Sequence, residues 1–161
     1  MSSFNRRVFC FGSAVALASC GFTPVYGPGG GGTGLQNAIL VDEPNDRDGF
    51  LVTREIEDRL GRATNARYGL SYAITTRYES IGIAATNINT RYNILGEVTY
   101  ALRDLATGEV LTSGKAENFT GYSASGSTVA TQSAEEDARE RLMVILADQV
   151  IRRLEAYSAT L

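Results

Sequence analysis

The clearest pattern in the chain is a run of alternating positions that begins at residue 68. Tyr68, Leu70, Tyr72, Ile74, Thr76 and Tyr78 fall on one side, while Gly69, Ser71, Ala73, Thr75, Arg77 and Glu79 fall on the other. A period of two places successive side chains on opposite faces of a strand, so one face is apolar and the other wet. After a loop over residues 82–89 the pattern returns as Tyr92, Ile94, Gly96, Val98, Tyr100 and Leu102, opposed by Asn93, Glu97, Thr99 and Arg103. Residues 104–109 (DLATGE) form a turn in which Gly108 supplies a positive φ, and residues 110–122 make the return strand. Alternation breaks between Gly114 and Phe119, which predicts a bulge there. These strands are about twice the usual five or six residues, which gives a tall, narrow sheet.

Helices flank this sheet in the sequence. Residues 38–41 (AILV) are a short strand candidate, and a polar turn with Pro44 follows. Asp46 or Asp48 can cap a helix running to about Arg62, with Phe50, Ile56 and Leu60 near one face and Gly61 weakening its end. Residues 123–132 (SASGSTVATQ) read as a loop. Ser133 with Glu136 then fits a capping box, and Ala138, Leu142, Ile145, Leu146, Val150 and Leu154 form the apolar stripe of a second helix. The acidic residues Glu135, Glu136 and Asp137 suit the start of that helix, as Arg152 and Arg153 suit its end. The order strand, helix, three antiparallel strands, helix predicts an α+β fold: a single mixed, largely antiparallel four-stranded sheet with two helices packed on one face.

The first twenty residues have a different character. Arg6 and Arg7 precede an eleven-residue apolar run at 8–18 (VFCFGSAVALA), too short to span a bilayer, which needs about 20 residues. Charge, apolar core and small-residue exit make a signal peptide. The exit reads Leu17-Ala18-Ser19-Cys20, a lipobox, so residues 1–19 are expected to be removed and Cys20 acylated. Asn5-Arg6-Arg7-Val8-Phe9 is also compatible with twin-arginine export, and the export route stays open. Gly21, rather than Asp, follows the cysteine, which favours the outer membrane over retention at the inner one. Two or three acyl chains anchor stably, because each buried CH2 contributes about 0.8 kcal/mol. Residues 20–36, rich in glycine, are expected to be a tether, and residues 37–161 the folded domain. The glycine run lacks the Gly-Lys-Ser/Thr of a phosphate loop and has no strand before it.

Composition narrows the function. The formal net charge is -3; loss of Arg6 and Arg7 leaves 13 basic against 18 acidic residues, a net charge of -5. That gives no basic footprint for nucleic acid. Histidine is absent, which removes the usual general base and the commonest metal ligand together. The two cysteines are Cys10 and Cys20, and the expected processing leaves no pair for a disulfide. The cluster Glu135, Glu136, Asp137 and Glu140 is explained by helix capping and solvation without a metal. Ser113 and Lys115, two apart on one face of a strand, are the best nucleophile–base pair, but a solvated lysine is not the depressed amine such a dyad requires. The expectation is a protein that acts by contact, with no catalysis, cofactor or metal.

Four segments together resemble the LPS-assembly lipoprotein family (LptE), in its alphaproteobacterial form. They are Leu17-Ala18-Ser19-Cys20-Gly21-Phe22-Thr23-Pro24-Val25-Tyr26; Asn89-Thr90-Arg91-Tyr92; the hairpin Asp104-Leu105-Ala106-Thr107-Gly108-Glu109-Val110-Leu111; and the helix ending Ile151-Arg152-Arg153-Leu154. The resemblance spans essentially the whole mature chain. It implies an outer-membrane lipoprotein on the periplasmic side that plugs the β-barrel partner LptD, assists its folding and helps deliver lipopolysaccharide. In the family, basic residues in the loop between the second and third strands and before the last helix contact lipopolysaccharide. Here residues 78–90 and 121–134 contain no Lys or Arg, so Arg77 and Arg91, which flank the first loop, are the expected substitutes. The alternative is an auxiliary lipoprotein of another envelope transport complex.

Overall fold

In the computed structural model, residues 34–81 and 91–160 are described. The elements are β1 (Ile39–Val41), α1 (Arg47–Leu60), β2 (Tyr68–Ser80), β3 (Arg91–Asp104), β4 (Val110–Ser123) and α2 (Thr128–Ser158). One four-stranded sheet has the order β1-β2-β3-β4, with β1 parallel to β2 and the other pairs antiparallel. This is the α+β arrangement that the alternation predicts.

The register puts the even-numbered residues of the long strands on one face. Tyr72, Tyr100 and Gly114 lie side by side, as do Ile74, Val98 and Ala116. Both helices cover that face. Leu70, Ile94, Val98, Leu102 and Ala116 are buried against Leu142, Met143, Leu146, Val150 and Leu154 of α2, and against Leu51, Val52, Ile56 and Leu60 of α1. The helices run in the same direction, cross-linked by Asp48–Arg139, Arg54–Glu140 and Arg59–Asp148. The packed body reaches back to Leu35, which is fully buried.

Several local expectations need correction. The bulge does not lie between Gly114 and Phe119; the register shift is at Leu102/Arg103. The weak alternation of β4 has another cause. Its central inward positions, Gly114 and Ala116, are small because Tyr100 of β3 and α2 occupy the space above them. A Cβ at Gly114 would stand 2.8 Å from the Tyr100 hydroxyl, and on the neighbouring β3 one at Gly96 would stand 2.8 Å from Leu146 Cδ1 of α2. Phe119 therefore falls on the uncovered face, 59% exposed.

The helix ends also differ. Of the two expected caps of α1 it is Asp46 that serves, accepting from the Gly49 N–H at 2.7 Å. Phe50 is exposed, and Leu51 and Val52 take the core positions. The α1 C-cap is Gly61 at φ 78°, where a Cβ would collide with the Asn37 side chain at 2.2 Å. The last helix starts well before Ser133: Ser127 is its N-cap, accepting from the Ala130 N–H at 3.3 Å. Consequently Glu135 to Asp137 are not in its first turn, and no basic residue lies in its last. The extra first turn is mostly exposed, with Val129 at 74%. Apolar spacing marks a helix only where the sheet covers it. Ile145 likewise lies at the exposed margin, while Met143, Ala147 and Ile151 complete the buried stripe.

Candidate functional site

The odd-numbered residues of β2, β3 and β4 form a broad face that no helix covers. Small and polar side chains dominate it, including Ser71, Ala73, Thr75, Thr99, Ala101 and Ser113. Near its centre the charges are paired among themselves, while Arg91 and Arg103 towards its two ends make no ion pair among the described residues. Arg77 lies 3.7 Å from Glu79, and Lys115 bridges Glu97 at 3.2 Å and Glu117 at 2.5 Å. At its centre a shallow hollow of about 320 Å3 lies between Thr75, Arg77, Leu95, Glu97, Glu117 and Phe119.

Lys115, with Ser113 the best nucleophile–base pair of the sequence, lies on this face. Hydrogen bonds to Glu117 and Glu97 push its pKa above the ordinary lysine value. Those bonds hold Glu117 below the usual carboxylate range in turn. Such an environment favours the ammonium form, the opposite of what a general base requires.

Of the three expected site residues, Cys20 lies outside the described residues. Arg77 and Arg91 share the uncovered face but are not brought together. Arg77 pairs in register with Leu95, four residues along β3 from Arg91, a separation of roughly 13 Å at strand rise. Arg77 shares its charge with Glu79, whereas Arg91, exposed at the start of β3, makes no ion pair among the described residues.

The strand directions give the sheet two unlike ends. β1 and β2 start together, with Ile39 opposite Tyr68, and the turn at 104–109 and the end of α2 lie at that same end. The described chain thus begins at this pole. At the other lie the end of β2, the start of β3, the end of β4 and the start of α2, with Arg91, the exposed Ile81 and the stacked rings of Tyr92 and Tyr122 at 5.5 Å.

Towards that second pole sits a polar cluster that the sequence did not reveal. Arg139 grips the nearly buried Asp48 carboxylate with two bonds of 2.6 and 2.7 Å. Its third nitrogen donates to the Tyr78 hydroxyl at 2.8 Å, and that hydroxyl donates to Glu135 at 2.7 Å. The bonds to Asp48 raise the Arg139 pKa further above its ordinary value. Desolvation first, then the bond to Glu135, raises that of Tyr78. This cluster fastens α1, α2 and β2 to one another. Every one of its charges has a partner, so it is built to hold the fold rather than to bind an anion. Among the described residues no group of carboxylates is arranged to hold a metal ion.

Comparison with known proteins supplies what this surface alone does not. The family model LptE, described as lipopolysaccharide-assembly, matches residues 36–154. No curated protein matches in sequence. Among solved structures, a candidate lipoprotein from Caulobacter crescentus superimposes with a TM-score of 0.68 at 19% identity, over 80% of this chain and 96% of that one. The rare lipoprotein B of Shewanella oneidensis gives 0.60 at 13% identity, over 76% of this chain and 96% of that one. A minor lipoprotein of Acinetobacter baumannii gives 0.54 at 16% identity, over 74% and 89%. At these identities the likeness is one of fold.

Proposed function

The chain belongs to the LptE lipopolysaccharide-assembly family, and from that premise we propose that it is an outer-membrane lipoprotein that plugs the barrel protein LptD from the periplasmic side. In this reading it assists the folding of LptD and helps pass lipopolysaccharide outward. The match over residues 36–154 carries the proposal.

Physical features support it. No described helix is long and apolar enough to cross a membrane. The lipobox Leu17-Ala18-Ser19-Cys20 is what assigns anchoring to acyl chains on Cys20, after removal of residues 1–19. From Cys20 to the buried Leu35 a fully extended chain would reach about 50 Å, ample for the body to enter a barrel while its anchor stays in the inner leaflet. The strands of β2 and β3, 13 and 14 residues, are roughly 45 Å tall at strand rise. That height exceeds the apolar band of an outer-membrane barrel, about 25 Å. A polar sheet face whose central charges are paired suits a wet, polar lumen.

The pole opposite the anchor then faces the lipid path. Arg91 and Arg77 are its candidate contacts for the phosphates of lipopolysaccharide, since a guanidinium can offer two parallel bonds to a phosphate. Arg91 is the stronger of the two, because Glu79 already occupies part of Arg77.

Affinity purification of the chain from detergent-solubilised outer membranes tests the reading. A stoichiometric large β-barrel protein is expected, together with loss of surface lipopolysaccharide when the chain is depleted. Unchanged lipopolysaccharide and no barrel partner would leave only the family's fold and overturn the role. Cys20→Ser is expected to abolish labelling by a radioactive fatty acid and to release the chain from the membrane.

A further inference from the structure

The two outer edges of the sheet are treated differently. Along β4 the backbone groups of residues 113, 115, 117, 119 and 121 point away from β3, because the even residues bond to it. Two of these outward groups are capped by side chains. The Lys115 carbonyl accepts from Arg153 of α2, and the Phe119 N–H donates to Asn118 Oδ1 at 2.8 Å. Capping of this kind blunts an edge against strand addition.

The edge on the other side is open for most of its length. β1 has three residues and pairs only with Tyr68, Gly69 and Leu70; its last bond runs from the Asp42 N–H to the Leu70 carbonyl at 2.9 Å. β2 continues for ten residues beyond Leu70, to Ser80. The bonds of Tyr68 and Leu70 to the β1 side fix the parity, so Tyr72, Ile74, Thr76 and Tyr78 also turn their N–H and C=O groups outward. No described backbone group bonds to that stretch of edge. Where β1 stops, a hollow of about 370 Å3 opens between this edge and the loop that leads to α1. Asp42, Glu43, Asp46, Tyr72 and Ile74 line it.

We propose that this vacated strand position, along Tyr72 to Tyr78, receives an extended segment of a partner protein, basic at the end beside Asp42 and Glu43. Strand addition draws its affinity from main-chain bonds and its selectivity from the side chains at the margin. Here that margin is acidic: Asp42 and Glu43 are exposed. The chain's own segments do not match it, since residues 20–41 and 82–90 contain neither Lys nor Arg. The inference concerns a surface separate from the uncovered sheet face and does not depend on LptD being the partner.

Amide hydrogen exchange on the full chain in detergent micelles tests this. The probe is an eight-residue peptide of alternating valine and threonine with two arginines at one end; its counterpart carries glutamates instead. In the free protein the amides of Tyr72, Ile74, Thr76 and Tyr78 are expected to exchange fast, and the basic probe is expected to slow them at least tenfold while the acidic one does not. Thr76→Pro removes one outward donor without touching the β2–β3 bonds, as proline is tolerated on that side of an edge strand; protection by the basic probe is expected to disappear. Asp42→Lys with Glu43→Lys, both on an exposed loop, is expected to weaken the basic probe at least tenfold, and it keeps the test decisive if the proline variant does not fold. The proposal is overturned if these amides are already slow without a peptide, if both probes protect them equally, or if protection appears at Ser113 and Glu117 of β4 instead.

Discussion

Arg139→Met is a direct test of the claim that the polar cluster between the helices holds the fold. Asp48 has a side chain only 5% exposed, and its carboxylate receives two short bonds from Arg139. Removing the guanidinium leaves that carboxylate without its counter-charge, and breaking a buried pair from one side costs about 3–5 kcal/mol. Asp48 lies in the first turn of α1, where the helix dipole returns about 0.3–1 kcal/mol to an anion. The net expectation is a loss of about 3 kcal/mol, which for a domain of this size lowers Tm by roughly 12 °C. Asp48→Leu is milder, about 2 kcal/mol, because the Arg139 side chain is 34% exposed and can rehydrate. The double variant Asp48→Leu/Arg139→Met leaves no orphaned charge and is expected to lie closer to the wild type than Arg139→Met alone. Urea unfolding followed by far-ultraviolet circular dichroism reads all three. A loss below about 1 kcal/mol for Arg139→Met, or a double variant equal to the sum of the singles, would refute the reasoning, since coupled charges are not additive.

The remaining predictions concern the packing and the ends. Gly96→Ala puts a methyl 2.8 Å from Leu146 Cδ1 and 3.0 Å from Leu142 Cδ2; both leucines are fully buried, so a loss of about 1–3 kcal/mol is expected in the same assay. Ser127→Ala is expected to cost about 1 kcal/mol as the loss of a helix cap, whereas Ser133→Ala, inside the helix, should be within about 0.5 kcal/mol of neutral. Equal effects would return the helix start to Ser133. In a carboxyl titration by NMR, Glu117 is expected to protonate below the usual range and to move up when Lys115 becomes Met. The sign follows from the lowered pKa: the favourable pairing is present above the ordinary glutamate value and is lost as the pH falls through the folded one. No movement of Glu117 in Lys115→Met would count against the pairing.

How much of this was legible in the sequence depended on how locally each feature is determined. Strict alternation through Tyr68 to Tyr78 and Tyr92 to Leu102 reports a one-sided sheet directly, because each position answers only to its own face. β4 was harder to read, since Gly114 and Ala116 are small for the sake of Tyr100 and α2, which lie far away in the chain. Phe50 has a core-like side chain but sits on the outside of α1, a matter of helix rotation that two adjacent apolar residues, Leu51 and Val52, decided. Ser127 and Ser133 are both sound caps by local chemistry; the structure chose the earlier because nothing in 128–132 opposes a helix that needs no core contact. The pairing of Asp48 with Arg139 spans 91 positions, and no periodicity connects them. For the candidate site, Arg91 does open β3, but β2 runs on to Ser80 past Arg77, and the ion pair that weakens Arg77, like the vacancy beside β2, exists only once the sheet is assembled.

The parallel pairing of β1 with β2 also governs how the body bears load. In the proposed role a pull arriving at Asn37 would load the bonds from Tyr68 to Ala38 and from Asp42 to Leu70 together, in shear, rather than peel them one after another. The Asn37 N–H, bonded to the Leu60 carbonyl at 2.7 Å, adds the end of α1 to the same clamp. Such tension would be spread over a strand and a helix before it reached the long hairpins.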